Sequence, residues 1–169
     1  MRRWIGPLLA VALMTVVTHI LTLQLTPGII MTRALDLLEE RGVALHRFTT
    51  PERITPQTQS VVRSSPDLYY ALCRYDLSKA RNGLHLRMQP WRGYQSLAFF
   101  DAETDNFATI RGDGPVVGVQ LLPPGSKAGK GAIVSPTTTG VVLIRRLAPD
   151  AAQFAAAAQV GKADMCQPI

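Results

Sequence analysis

The sequence predicts a mostly β protein: a small β-sandwich or open barrel with a C-terminal helix, preceded by one N-terminal transmembrane helix. Three observations carry that prediction. The twenty-two residues from Trp4 to Leu25 hold no formal charge. From Leu68 to Arg146 the chain breaks into short aliphatic and aromatic runs separated by Gly, Pro, Asn and Asp clusters, the pattern of half-buried strands joined by tight turns. The stretch 150–162 is rich in alanine, which favours a helix.

A helix over Trp4–Leu25 reaches about 33 Å, enough to cross a hydrocarbon core of about 30 Å. Arg2 and Arg3 precede it and the next charge is Arg33, so the positive-inside bias puts the N-terminus in the cytoplasm. The expected setting is the inner membrane, with the rest of the chain in the periplasm. A cleaved secretory signal is the competing reading. Against it, the apolar run exceeds a usual signal core and no small-x-small site follows. Inside the span, His19 is the one titratable group, and with Thr15, Thr18 and Thr22 it forms a polar stripe suited to helix pairing. Thr26-Pro27-Gly28 is expected to stop this helix, which gives an anchor over 1–28 and the lipid bilayer as a first partner.

Residues 29–63 read as a short amphipathic helix, Ile29–Gly42, followed by a linker. Ile30, Ala34, Leu37 and Leu38 recur at a helical period, and Gly42 suits the position just past a helix end. Val43–Arg63, with Pro51, Pro56 and many Thr, Gln and Ser residues, reads as extended. The third region, 64–169, is the sandwich. Its strands are expected near Leu68–Leu77, Leu84–Met88, Tyr94–Phe100, Asn106–Arg111, Val116–Leu122, Ala132–Ser135 and Val141–Arg146. Asp150–Lys162 follows as the closing helix, with Pro149 in its first turn.

The net charge of +6 comes from basic residues scattered along the chain, with no cluster interleaved with aromatics, so nucleic acid is not an expected partner. Asp67, Asp76, Asp101 and Asp105 fall at strand ends and turns, where aspartate is favoured for its own backbone hydrogen bonds. An envelope hydrolase or carbohydrate-active enzyme using the Asp101 and Asp105 carboxylates is the alternative function. Neither Gly-x-Ser-x-Gly nor His-Glu-x-x-His occurs, and His46 and His85 lack further ligands at metal spacing, so no catalytic set, metal or cofactor is assigned. Cys73 and Cys166 are the two cysteines; in an exported domain they leave one intrachain pairing, and a Cys73–Cys166 disulfide is expected.

Ser65-Pro66-Asp67-Leu68-Tyr69-Tyr70, Tyr75-Asp76-Leu77, Trp91-Arg92-Gly93-Tyr94, Asp105-Asn106-Phe107 and Arg145-Arg146-Leu147-Ala148-Pro149 together resemble a bacterial envelope family of unknown function. The resemblance covers the chain from about Pro27 onward. It is to the first, N-terminal β-rich half of larger exported proteins, in the family's small membrane-anchored form. It implies a second membrane-anchored β-rich protein, encoded nearby, as partner. It also marks Pro66, Asp67, Tyr69, Tyr70, Trp91, Tyr94, Asp105 and Asn106 as structural or partner-binding positions. The function these readings favour is a membrane-tethered periplasmic module that binds or scaffolds a partner.

Overall fold

The structure, a computed structural model, describes residues 2–53, 64–112 and 115–169. Part of the expected linker, with Pro56, and the middle of the expected Gly112–Pro115 turn lie outside them. In chain order the elements are α1 (Arg2–Glu40), β1 (Leu68–Asp76), β2 (Leu84–Met88), β3 (Gln95–Phe100) and β4 (Asn106–Arg111). There follow β5 (Val117–Leu122), β6 (Ala132–Val134), β7 (Thr139–Leu147), α2 (Ala151–Gly161) and β8 (Met165–Pro168). They form a sandwich of two four-stranded sheets: sheet A in the order β1-β7-β3-β4 and sheet B in the order β6-β5-β2-β8.

Alternation decides what each strand buries. In β1 the inward residues are Tyr69, Ala71, Cys73 and Tyr75; across the ladder they face Arg146, Ile144, Val142 and Gly140 of β7. Gly140 is required because the Tyr75 ring lies against its Cα, where any side chain would collide. Sheet B supplies Leu84, Leu86 and Met88 from β2, paired with Leu121, Val119 and Val117 of β5. The Cys73–Cys166 disulfide joins the inner face of β1 to β8, with the two Cα atoms 6.6 Å apart, and so links sheet A to sheet B through the core.

Three elements differ from the sequence reading. Helix α1 does not stop at Thr26-Pro27-Gly28 but runs unbroken to Glu40, with Pro27 inside it. A proline in a helix interior costs about 3 kcal/mol, because it removes one hydrogen bond and crowds the preceding turn. Pro27 and Gly28 are half-buried, Met31 is buried and α1 touches β7, so packing of the helix on the sandwich offsets that cost. The helix then ends as the sequence suggests. Gly42, at φ 77°, donates to Glu39 O while Val43 N–H reaches Leu38 O, the paired bonds that close a helix on a left-handed glycine.

The segment after it is only partly a linker. Leu45 and Thr49 make bridges to Arg74 and Leu72, and so strap the outer edge of β1. A further strand, β8, has no counterpart in the sequence reading. At the second helix, Asp150 is the N-cap, its carboxylate accepting from Gln153 N at 2.7 Å, so Pro149 lies just before the helix rather than in its first turn.

The four edges differ in cover. β1 carries the strap, β8 is short and ends in Pro168, and β6 has three residues. β5 is internal, paired with β2 and β6. β4 is the longest edge without a strap among the described residues. Gly112 N donates to Gln95 O, which fixes the hydrogen-bond phase of the β3–β4 ladder: the N–H and C=O groups of Thr109 and Arg111 point away from β3, toward the open side.

Candidate functional site

Two polar constructions stand out. The first is inside the sandwich, at the end of sheet A where β1 and β3 begin and β7 ends. Inward alternation along β7 (Val142, Ile144) carries Arg146 into the core, where its side chain has no solvent exposure. Asp164, on the turn between α2 and β8, meets it with both oxygens, each 2.7 Å from a guanidinium nitrogen, and is equally buried. Arg146 Nη2 also donates to Gln89 O at 3.2 Å and Nε to Gln95 Oε1 at 3.3 Å, while Gln89 N donates to Asp164 at 2.9 Å. The guanidinium lies 5.7 Å from the Tyr69 ring centroid.

A bidentate pair of this kind is among the stronger polar contacts, and it survives burial only because further hydrogen bonds surround both charges. Every buried side-chain nitrogen and oxygen of the cluster but one has a partner. The exception is Gln95 Nε2, buried against Gly112 without a partner among the described residues. Chemically the construction is a clasp. It ties α2 and β8 to sheet A and offers no free nucleophile or base. Burial raises the Tyr69 hydroxyl above its ordinary pKa, and Thr50 Oγ1 lies 2.6 Å from it.

The second construction joins α1 to the sandwich. Arg74, buried on β1, donates from Nε to Val43 O at 2.9 Å and from Nη1 to Glu39 Oε2 at 3.0 Å and Leu35 O at 3.4 Å. A cation near the last carbonyls of a helix also favours its dipole. Arg74 holds the Glu39 carboxyl below its ordinary pKa, through their hydrogen bond and the nearby positive charge. Next to it His46, at φ 55°, donates its backbone N–H to Arg74 O and places Nε2 3.0 Å from Asp76 N.

Burial lowers the His46 pKa below 6.5, ahead of the opposing pull of Asp76. The folded state therefore binds fewer protons at this group than the unfolded chain does. The associated stability is present above about pH 6.5 and is lost as pH falls through the depressed folded value. Denaturant melts of the parent and His46→Gln between pH 5 and pH 8 should show the parent losing more stability on acidification. Parallel pH profiles would contradict this.

The positions marked in the sequence divide between the two ends of sheet A. Pro66 and Asp67 form the turn into β1, with Asp67 O accepting from Ala148 N. Tyr69 points into the core, whereas Tyr70 is half-buried on the other face with its hydroxyl accepting from Ser65 N. Trp91 Nε1 donates to Leu147 O at 3.0 Å, and Tyr94, 42 % exposed, donates its hydroxyl to Ser96. These six positions gather around the Arg146 end. Asp105 and Asn106 lie at the opposite end, in the β3–β4 hairpin.

There Asp101, not Asp105, is the organising carboxylate. It is buried, and one oxygen accepts from Glu103 N at 2.8 Å and Asp105 N at 2.9 Å. Asp105 is exposed, and the Asn106 side chain accepts from Thr109 Oγ1. The two aspartates of the alternative reading thus serve one loop. Among the described residues, no group of three or more His, Cys, Asp or Glu side chains is placed to hold a metal ion.

The sequence family described as a protein of unknown function, DUF1254, matches residues 46–168. The chain belongs to the DUF1254 family. No curated protein matches the sequence. Among solved structures, the DUF1254 domain is similar to the VPA0106 protein from Vibrio parahaemolyticus, with a TM-score of 0.62 and 10 % identity over 85 % of this chain and 35 % of that one. An uncharacterized protein from Burkholderia cenocepacia aligns at a TM-score of 0.43 and 20 % identity, over 63 % of this chain and 31 % of the other. The first likeness shows the fold. The chain spans about a third of the length of either protein.

The matched residues begin within the strap and take in the Arg146 clasp, the disulfide and both sheets. The sequence reading gave Arg74, Asp164 and Gln95 no site role, and it weighed His46 only as a metal ligand lacking partners. For Arg146 a signal was available: it shares its parity with Val142 and Ile144, so alternation alone places it inward.

Proposed function

We propose that this DUF1254 domain is an exported, membrane-tethered docking module whose partner is a second anchored β-rich protein. The observation that carries the reading is the continuity of α1. Its apolar, exposed N-terminal part passes without a break into the segment that Arg74 and Met31 hold on the sandwich. With Arg2 and Arg3 on the cytoplasmic side, the sandwich stands in the periplasm, mounted on a stiff rod close to the bilayer. A disulfide in the core fits an oxidising compartment.

The contact surface in this reading is the open side of β4. An edge strand offers backbone groups that a partner's strand can pair with, and tethering both proteins in one membrane raises their effective concentration. A photo-crosslinking residue at Asn106, in the full chain expressed at its native level, should capture one additional membrane protein. Thr109→Pro removes an outward N–H and leaves the β3 ladder bonds in place, since proline is tolerated at an edge. It should lower the adduct yield roughly three- to tenfold, the worth of a hydrogen bond or a little more, with the thermal midpoint nearly unchanged. Recovery of the monomer alone with crosslinkers of several lengths, or an adduct indifferent to Thr109→Pro, overturns the reading.

A further inference from the structure

We propose that α1 pairs in parallel with α1 of a second copy, through the helix face that points away from its own sandwich. Positions 11, 15, 18, 22, 25, 29, 32 and 36 follow one another in steps of four and three residues. That is the 3.5-residue period along which two helices stay in contact over many turns. Two shallow grooves lie end to end along this face, one bordered by Thr15, Thr18 and Thr22, the other by Ile29, Thr32 and Asp36.

The threonines suit close approach. The hydroxyls of Thr15, Thr22 and Thr32 donate back to the carbonyls of Val11, Thr18 and Gly28 at 2.8–2.9 Å, so their donors are satisfied within the helix. What they present outward is small and hydrogen-bond neutral, as helix interfaces in lipid favour. His19 borders the first groove and adds a polar group able to bond across a pair.

Geometry leaves room for a second copy. Met31, the residue α1 buries on the sandwich, lies ~140° around the helix from Asp36 and ~160° from Ile29 at 100° per residue. Ile29, Thr32, Arg33 and Asp36 are all exposed. Two helices meeting on this face carry their sandwiches outward on opposite sides and do not collide.

Charge chooses the occupant. Past the apolar span the face ends in Arg33 and Asp36, opposite charges one turn apart that both border the second groove. Neither has an ion-pair partner in the structure among the described residues. In a parallel pair, Arg33 of one helix reaches Asp36 of the other, and the twofold repeats the contact. An antiparallel pair would bring these charges to opposite ends. Two copies of one chain inserted in one membrane are necessarily parallel, so the face is complementary to itself.

The inference rests on reading α1 as a membrane span. The test therefore scores membrane retention separately, using the full chain in native membranes. Single cysteines at Thr15, Thr18, Thr22 and Leu25, and off-face at Val17 and Ile20, are oxidised and the adducts sized. Disulfide-linked dimers of twice the chain mass should form at the on-face positions and not off it. Asp36→Arg should reduce dimer formation roughly two- to fivefold, and Arg33→Asp combined with Asp36→Arg should restore it. Equal crosslinking on and off the face, none at any position in a chain that stays in the membrane, or adducts only of another mass would overturn self-pairing. Release of the chain by alkaline carbonate would instead overturn the span, and self-pairing with it.

Discussion

Replacing Asp164 with alanine will destabilise the sandwich by about 3–5 kcal/mol, the cost of breaking a buried ion pair by deleting one partner. The cause is the arginine left behind. Arg146 is fully buried, and among the described residues Asp164 is the only acidic group bonded to it; the other acceptors there, Gln89 O and Gln95 Oε1, are neutral and more distant. For a domain of roughly 100 residues the expected fall in Tm is on the order of 20 °C. Removing both charges should behave differently. Arg146→Met combined with Asp164→Leu fills similar volume with apolar atoms and should recover most of the loss, because a buried pair often breaks even against a hydrophobic replacement. Melts of the three proteins decide it. An Asp164→Ala variant melting within two or three degrees of the parent would show that the clasp contributes little.

Removing the disulfide will cost a similar amount for a different reason. Cys73 and Cys166 are separated by 93 positions, so their bond closes most of the sandwich into one loop. In the chain-entropy account a loop of that size removes about 4–5 kcal/mol of freedom from the unfolded chain. Cys73→Ala with Cys166→Ala should lower the denaturant midpoint accordingly. The parent, denatured without reductant, should react with no thiol reagent. Two labelled cysteines in that experiment, or a variant as stable as the parent, would contradict the prediction.

Much of the fold was legible because alternation and turn residues act locally. Asn82-Gly83 leads into β2, Asp101–Asp105 and Pro123-Pro124-Gly125 end β3 and β5, and Tyr69, Cys73 and Leu86 face inward as their parity requires. The failures have tertiary causes. Pro27 reads as a stop until the turns after it are seen packed on the sheet. Leu45 and Thr49 sit among Thr and Pro residues that resemble a linker, and only the edge of β1 makes them a strap. β8 is four residues, Met165-Cys166-Gln167-Pro168, too short for a period to show. The site was less legible than the fold. Arg146 was inferable from parity, but nothing near Asp164 announces a buried carboxylate, because its partner is eighteen residues earlier and meets it only once α2 has folded back.

The place of β8 in the chain has a consequence for timing. It comes after every other strand, yet it lies beside β2, and its cysteine bonds to β1, the earliest strand. At about 5–20 residues per second, roughly 4–15 s separate the synthesis of Met88 from that of Met165. Throughout that interval β2 has no neighbour on one side and Cys73 no partner. Sheet B therefore closes only after delivery of this segment is complete. Until Cys166 is made, the Cys73 thiol has no wrong intrachain mate to choose.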